Sequence, residues 1–188
     1  MRIRESGMPE QAVWDTFFDP FAVLDRFGVD EGVREVVEFG CGYGTFSIPA
    51  ANRISGRLHA LDIDPGMLSV ATANAVAAGC NNIRFELRDF VEDGTGLADR
   101  CCDIALVFNI LHVEEPVALL AEARRNLVTG GRIAVMHWNY DETTPRGPPL
   151  DIRPRPAQCL EWGKQAGLVP QGGIVDLPPY HYGLLLRR

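Results

Sequence analysis

The chain has 188 residues, 46% of them hydrophobic, and a formal net charge of −7 at pH 7. That length supports one substantial hydrophobic core rather than two, and the acidic balance withholds the long-range attraction that nucleic-acid-binding proteins draw from excess Lys and Arg. No apolar run approaches the ~18 residues of a membrane span, MRIRESGMPEQ at the start carries no apolar leader, and the five cysteines, odd in number and without a CxxC pair, read as reduced thiols of a cytoplasmic protein.

In chain order, Trp14, Phe17, Phe18, Phe21 and Leu24 recur at helical spacing, with Pro20 starting a second short helix. EVVEF (35–39) is a strand, followed by a helical stretch from Thr45 to about Arg53. RLHAL (57–61) is the next strand, and the helix after it has Pro65 in its first turn and Gly79 at its end. IRFEL, CCDIALVF and RIAVMHW are further short β-rich runs, and Pro116 opens an amphipathic helix that stops before Gly130-Gly131. Continuous apolar strands separated by helices predict a parallel sheet covered on both faces. After a helix in AQCLEWGKQAG, the runs GGIVDL and YHYGLLLRR flank Pro178-Pro179 and predict an antiparallel pair at one sheet edge. Residues 139–156, rich in Pro and Arg, have the composition of a surface loop or lid.

The first strand breaks into Gly40, Gly42 and Gly44 directly after Glu38. Such a turn lets backbone N–H groups come close to a ligand. The second strand ends in Asp62, 18 residues after Gly44, where nucleotide folds place an acid on ribose hydroxyls. Turn and acid together imply an adenosine-bearing ligand. A dinucleotide fold spaces its glycines GxGxxG around a pyrophosphate, whereas here the spacing is GxGxG beside an acid that suits a ligand carrying an ammonium group.

At this point the sequence resembles the class I S-adenosylmethionine-dependent methyltransferases, whose first motif is matched by Val37, Glu38, Gly40, Gly42 and Gly44. The resemblance extends through Asp62 to Leu68, Asp89 with Phe90, Asp103 to Val113, and Leu127 to Val135. It implies an α/β fold: a Rossmann-like three-layer sandwich on a mostly parallel seven-stranded sheet with an antiparallel last strand. One domain is expected over residues 1–188, with an N-terminal helical cap at 8–28 and the candidate lid at 139–156. S-adenosylmethionine is the implied cofactor, bound by Glu38, Gly40, Gly42, Gly44, Asp62, Ile63, Asp89, Phe90 and Asn109. Asp64 is assigned to capping the helix at Pro65.

Methyl transfer relies mainly on orientation, which can account for ~7–11 kcal/mol, so few catalytic groups are expected. His112 is the candidate general base. His137, Trp138, Tyr140 and Arg146 are candidates to contact the acceptor, with Arg146, Arg153 and Arg155 able to clamp a carboxylate or phosphate or else to pair with surface acids. NILH (109–112) stands where enzymes methylating adenine or glutamine amines carry (N/D/S)PP(Y/F/W). The reading is therefore a methyltransferase for a small-molecule acceptor, on oxygen, nitrogen or carbon, without metal, nucleic acid or membrane, as monomer or homodimer. The alternatives are a non-catalytic partner subunit that binds S-adenosylmethionine and, further off, an NAD-binding oxidoreductase.

Overall fold

The computed structural model describes residues 8–188; the start of the chain, expected to carry no leader, lies outside the described residues. The elements follow as α1 (Gln11–Trp14), a 3-10 turn (Asp15–Phe17), α2 (Pro20–Arg26), β1 (Glu35–Phe39), α3 (Ser47–Ala51), β2 (Arg57–Asp62), α4 (Pro65–Ala77), β3 (Ile83–Leu87), β4 (Cys102–Phe108), α5 (Pro116–Asn126), β5 (Leu127–Trp138), α6 (Pro156–Gln165), β6 (Val169–Leu177) and β7 (His181–Arg187).

The strands form one seven-stranded sheet in the order β3-β2-β1-β4-β5-β7-β6. The first five in chain order run parallel, and β7 is antiparallel to both β5 and β6. β1 and β4 carry the core. Val36 and Ile104 pack on one face with Val23, Leu24 and Phe27, while Val37 and Ala105 pack on the other with Leu119 and Leu120 of α5. Alternate residues of one strand thus feed opposite cores, which requires both faces to be apolar.

Local chemistry sets the element ends. Asp64 accepts from Gly66 N at 2.7 Å and Met67 N at 3.3 Å, with Pro65 at the first helical position, so α4 starts where its orphan donors are satisfied. Asp19 does the same for α2 through Ala22 N at 3.0 Å. One boundary differs from the sequence reading. β5 begins at Leu127 and runs through Gly130-Gly131, because Gly130 at φ 81° and a register shift opposite Cys102 and Ile104 let the strand absorb extra residues as a bulge.

Glu122 of α5 pins the connection before β4. Its carboxylate accepts from Thr95 N at 2.7 Å, Thr95 Oγ1 at 2.9 Å, and Arg125 Nε at 2.7 Å. Arg125 and Thr95 hold its pKa down at about 2 from 4.5. A depressed carboxyl contributes stability that is fully present above 4.5 and lost as pH falls toward 2. Glu122→Gln is therefore expected to cost ~1–3 kcal/mol in urea unfolding at pH 7. The gap from wild type should close as the pH is lowered toward 2.

Candidate active site

The chain winds outward from β1 through β2 to β3, then crosses to β4 and β5 on the other side. The carboxyl ends of β1 and β4 therefore diverge into a crevice, the place where open α/β sheets take ligands. A cavity of about 400 Å³ lies there, lined on one side by Glu38, Gly40, Gly42, Asp62 and Asp89, and on the other by Phe108, His112, Trp138 and Arg146.

Four N–H groups of the glycine turn are bonded within the protein. Gly40 N and Cys41 N both donate to Leu61 O, at 2.9 and 3.0 Å, and Gly44 N donates to Cys41 O at 2.9 Å. Gly42 N donates to Asp62 Oδ2 at 2.8 Å. The N–H groups of Gly40, Cys41 and Gly42 tie the turn to β2, and that of Gly44 closes the turn on itself, where the sequence reading expected such groups to approach a ligand. What the glycines supply is the backbone path and the absence of Cβ. Gly40 and Gly42 hold φ of 77° and 51° on the cavity wall, and a Cβ on Gly40 would stand 3.2 Å from Ile110 Cγ2. Gly44, at φ 80°, instead packs against Ile48 in the helical layer and is not on the wall.

Carboxylates face the turn. Glu38 is 2% exposed and its carboxyl accepts from Ser47 Oγ. Burial, with Asp62 nearby adding to it, pushes the Glu38 pKa up to about 8. Asp62 is also buried, and burial raises its pKa against the hydrogen bonds it accepts from Gly42 N and, at 3.0 Å, from Asp64 N. Two acids so placed make a pocket that is poorly satisfied until a cation enters it. Asn109 adds to this. It sits at φ 58° after β4, and both its Oδ1 and Nδ2 are buried at the cavity wall without a hydrogen-bond partner among the described residues.

Asp89 lines the cavity while its Oδ1 receives Val91 N and Glu92 N, each at 3.2 Å. Phe90 is fixed edge-on to Phe39 at 5.3 Å, leaving Phe90 and Ile63 as apolar wall. Met8 lies over Gly42, Tyr43 Oη donates to Pro9 O at 2.9 Å, and Asn74 Nδ2 bridges Gln11 Oε1 and Tyr43 O.

The other side is aromatic. Trp14, Phe46, Phe108 and Trp138 line it, backed by Phe17, Phe18 and His181, whose ring lies 4.2 Å from that of Trp138. His112 reaches the wall, with Nδ1 3.4 Å from His137 Nε2 and its pKa lowered by burial.

Of the sequence-derived candidates, the structure brings together Glu38, Gly40, Gly42, Asp62, Ile63, Asp89, Phe90, Asn109, His112, Trp138 and Arg146 around one cavity. His137 and Tyr140 lie elsewhere. His137 is wholly buried behind His112, because alternation along β5 sends Trp138 to the cavity and its neighbour toward Tyr182. Tyr140, 40% exposed, lies beneath the Arg155 guanidinium at 4.0 Å. Trp14 and Ile152 line the cavity from the expected cap and lid segments, whereas sequence reasoning did not single out Phe46 as a wall residue. Among the described residues no His/Cys/Asp/Glu cluster is suited to a metal ion, and no helix is long and apolar enough to cross a membrane.

A family model described as a methyltransferase domain matches residues 36–131 of the 188. This chain belongs to the S-adenosylmethionine-dependent methyltransferases. The methyltransferase is similar to aklanonic acid methyltransferase DauC from Streptomyces sp. (strain C5), 32% identical over 54% of this chain and 46% of that protein. It is also similar to ribosomal protein L11 methyltransferase from Methylococcus capsulatus, 41% identical over 53% of this chain and 32% of that protein. It thus spans less than half the length of these relatives. Among solved structures, a SAM dependent methyltransferase from Aquifex aeolicus superposes with a TM-score of 0.82 over 95% of this chain and 93% of that one, at 23% identity, a likeness of fold.

The methyltransferase's own residues fit the family's cofactor. The buried acids Glu38 and Asp62 suit a nucleoside that carries positive rather than negative charge, and the unpartnered Asn109 amide offers both a donor and an acceptor.

Proposed function

We propose that the protein transfers a methyl group to a small-molecule acceptor held between its aromatic wall and the 139–156 loop. The observation that carries this reading is the electrostatics of the turn. The N–H groups of Gly40, Cys41, Gly42 and Gly44 are spent inside the protein, and the buried acids Glu38 and Asp62 beside the turn gain from a cationic nucleoside and not from the pyrophosphate of a dinucleotide. S-adenosylmethionine, when bound, supplies an activated methyl group on a sulfonium centre. The protein's task is then to hold, orient and deprotonate an acceptor.

In this reading Asp62 receives the ribose hydroxyls, Asp89 and Asn109 meet the adenine, and Phe90 and Ile63 flank it. Glu38 faces the ammonium end. Residues 8–28 act as a cap and 139–156 as a lid, a reading supported by Met8 and Trp14 on one wall and by Gly147 and Ile152 on another. The small acceptor is favoured by the apolar lining and by the likeness to DauC, whose name specifies a small acid. A protein acceptor, as in the name of the second relative, would have to reach a cavity that Trp14, Pro148 and Pro149 help to line.

His112 is the acid–base group in this proposal. Burial lowers its pKa below 6.5, so the ring is neutral at pH 7 and able to take a proton. The rising limb of kcat against pH should accordingly lie below 6.5. His112→Ala should lower kcat by ~10²- to 10⁴-fold while leaving cofactor affinity nearly unchanged. The test is release of S-adenosylhomocysteine from S-adenosylmethionine against a panel of phenols, aromatic amines and β-dicarbonyl compounds. Turnover with one class that drops in the His112 variant supports the proposal. Tight S-adenosylhomocysteine binding without turnover on any class would instead favour a non-catalytic binding subunit.

A further inference from the structure

The 139–156 loop carries three arginines, and the fold treats them differently. Arg153 is 7% exposed and has no carboxylate partner among the described residues; it donates from Nε to Pro148 O at 2.9 Å and from Nη1 to Asn139 O at 2.9 Å and Asp141 O at 3.1 Å. Its Nη2 reaches Arg146 O at 3.3 Å. A buried guanidinium with its donors on four main-chain carbonyls and the Thr144 hydroxyl is the hub that folds the loop. Arg155 precedes α6 and stacks over the exposed ring of Tyr140. Both are structurally committed.

Arg146 is not. It lines the cavity from the loop, its backbone carbonyl is fixed by Arg153, and its guanidinium has no hydrogen bond or ion pair among the described residues. Gly147 beside it lets the loop lie close on the Trp138 ring: a Cβ there would stand 2.8 Å from Trp138 Cγ, and φ is 114°. An arginine is therefore presented at the rim of an aromatic chamber by a loop whose other cations are occupied.

Charge across the cavity is divided as well. Glu38, Asp62 and Asp89 stand at the cofactor side, whereas Arg146 and neutral His112 are on the side of Trp138 and Phe108. The second arginine at the wall, Arg88, is turned to the connection before β4, donating to Gly94 O at 2.9 Å and Asp93 O at 3.5 Å. An anion entering the cavity finds only acids on the first side and a guanidinium to meet on the second.

We propose that Arg146 is a specificity-determining residue that selects acceptors with a planar apolar body and a carboxylate at one end. The carboxylate pairs with Arg146 at the rim, the body lies against Trp138 and Phe108, and the methylated group is left toward His112. This rests on the methyltransferase reading and adds the acceptor class to it.

The experiment titrates the protein, saturated with S-adenosylhomocysteine, with 2-naphthoate, 2-naphthamide and 2-naphthyl phosphate by calorimetry at 0.15 M salt, a condition that screens loose surface attraction. Wild type should bind 2-naphthoate at least ~10-fold more tightly than the amide, as one charge-assisted contact provides. Arg146→Gln should erase that preference, Arg146→Lys should keep part of it, and Arg155→Gln should leave it intact. Equal affinity for acid and amide, binding of neither, or a preference that survives Arg146→Gln overturns the proposal. Preference for the phosphate over the carboxylate overturns the assignment of a carboxylate. The saturating titration with S-adenosylhomocysteine is read first: if it fails, the methyltransferase reading fails with it, whereas its success with no naphthoate preference removes only the acceptor class.

Discussion

Asp62→Ala is expected to weaken S-adenosylhomocysteine binding by ~100-fold or more, as measured by equilibrium dialysis with labelled nucleoside. The proposed ribose contacts are hydrogen bonds to a carboxylate, each worth ~1.5–3 kcal/mol. The substitution also strips the acceptor from Gly42 N and Asp64 N, so the turn that shapes the wall loses its tie to β2. Asp62→Asn separates the two effects, because its one carbonyl oxygen can still accept from Gly42 N. That variant should fall between wild type and alanine. Its melting temperature should also fall between the two, since its amide nitrogen cannot accept from Asp64 N.

Glu38→Gln should change the pH dependence of both stability and binding. The folded-state pKa of Glu38 is pushed from 4.5 up to about 8 by burial, so the carboxyl prefers to be neutral in the folded chain. For an acid shifted upward, the sign is a destabilisation that is absent below 4.5, grows as pH rises to about 8, and is constant beyond. Wild-type melting temperature should therefore decline across that window relative to Glu38→Gln, which carries no titrating group there. A ligand ammonium near Glu38 favours the carboxylate. Binding at pH 7 should then release a proton, at most about one per site, visible as a dependence of the calorimetric heat on buffer ionisation enthalpy. The Gln variant should bind more weakly and release none.

Much of this site was legible from side-chain type and position. Asp62 and Asp64 are two residues apart, yet sequence logic separates them: the one ending the strand faces the cavity, and the one before Pro65 caps α4. The strand and helix alternation was legible for the same reason, since period and proline position are local properties. What stayed hidden depends on tertiary direction. β5 is apolar on both faces, so no pattern distinguishes Trp138, which lines the cavity, from His137, which is buried behind His112. The destination of the turn N–H groups is equally invisible, because Leu61 O and Asp62 Oδ2 compete for them only once β1 and β2 pair. Arg146, Arg153 and Arg155 are alike by composition, and only the fold of the loop divides them into a hub, a stacked surface group and a residue at the cavity.

The most direct measurement is a calorimetric titration of the wild-type protein with S-adenosylhomocysteine and, separately, with NAD. A cavity walled by Glu38, Asp62 and Asp89, where the N–H groups of Gly40, Cys41, Gly42 and Gly44 are already bonded inside the protein, should bind S-adenosylhomocysteine at one site per chain and leave NAD unbound. Binding of NAD without S-adenosylhomocysteine would contradict the account.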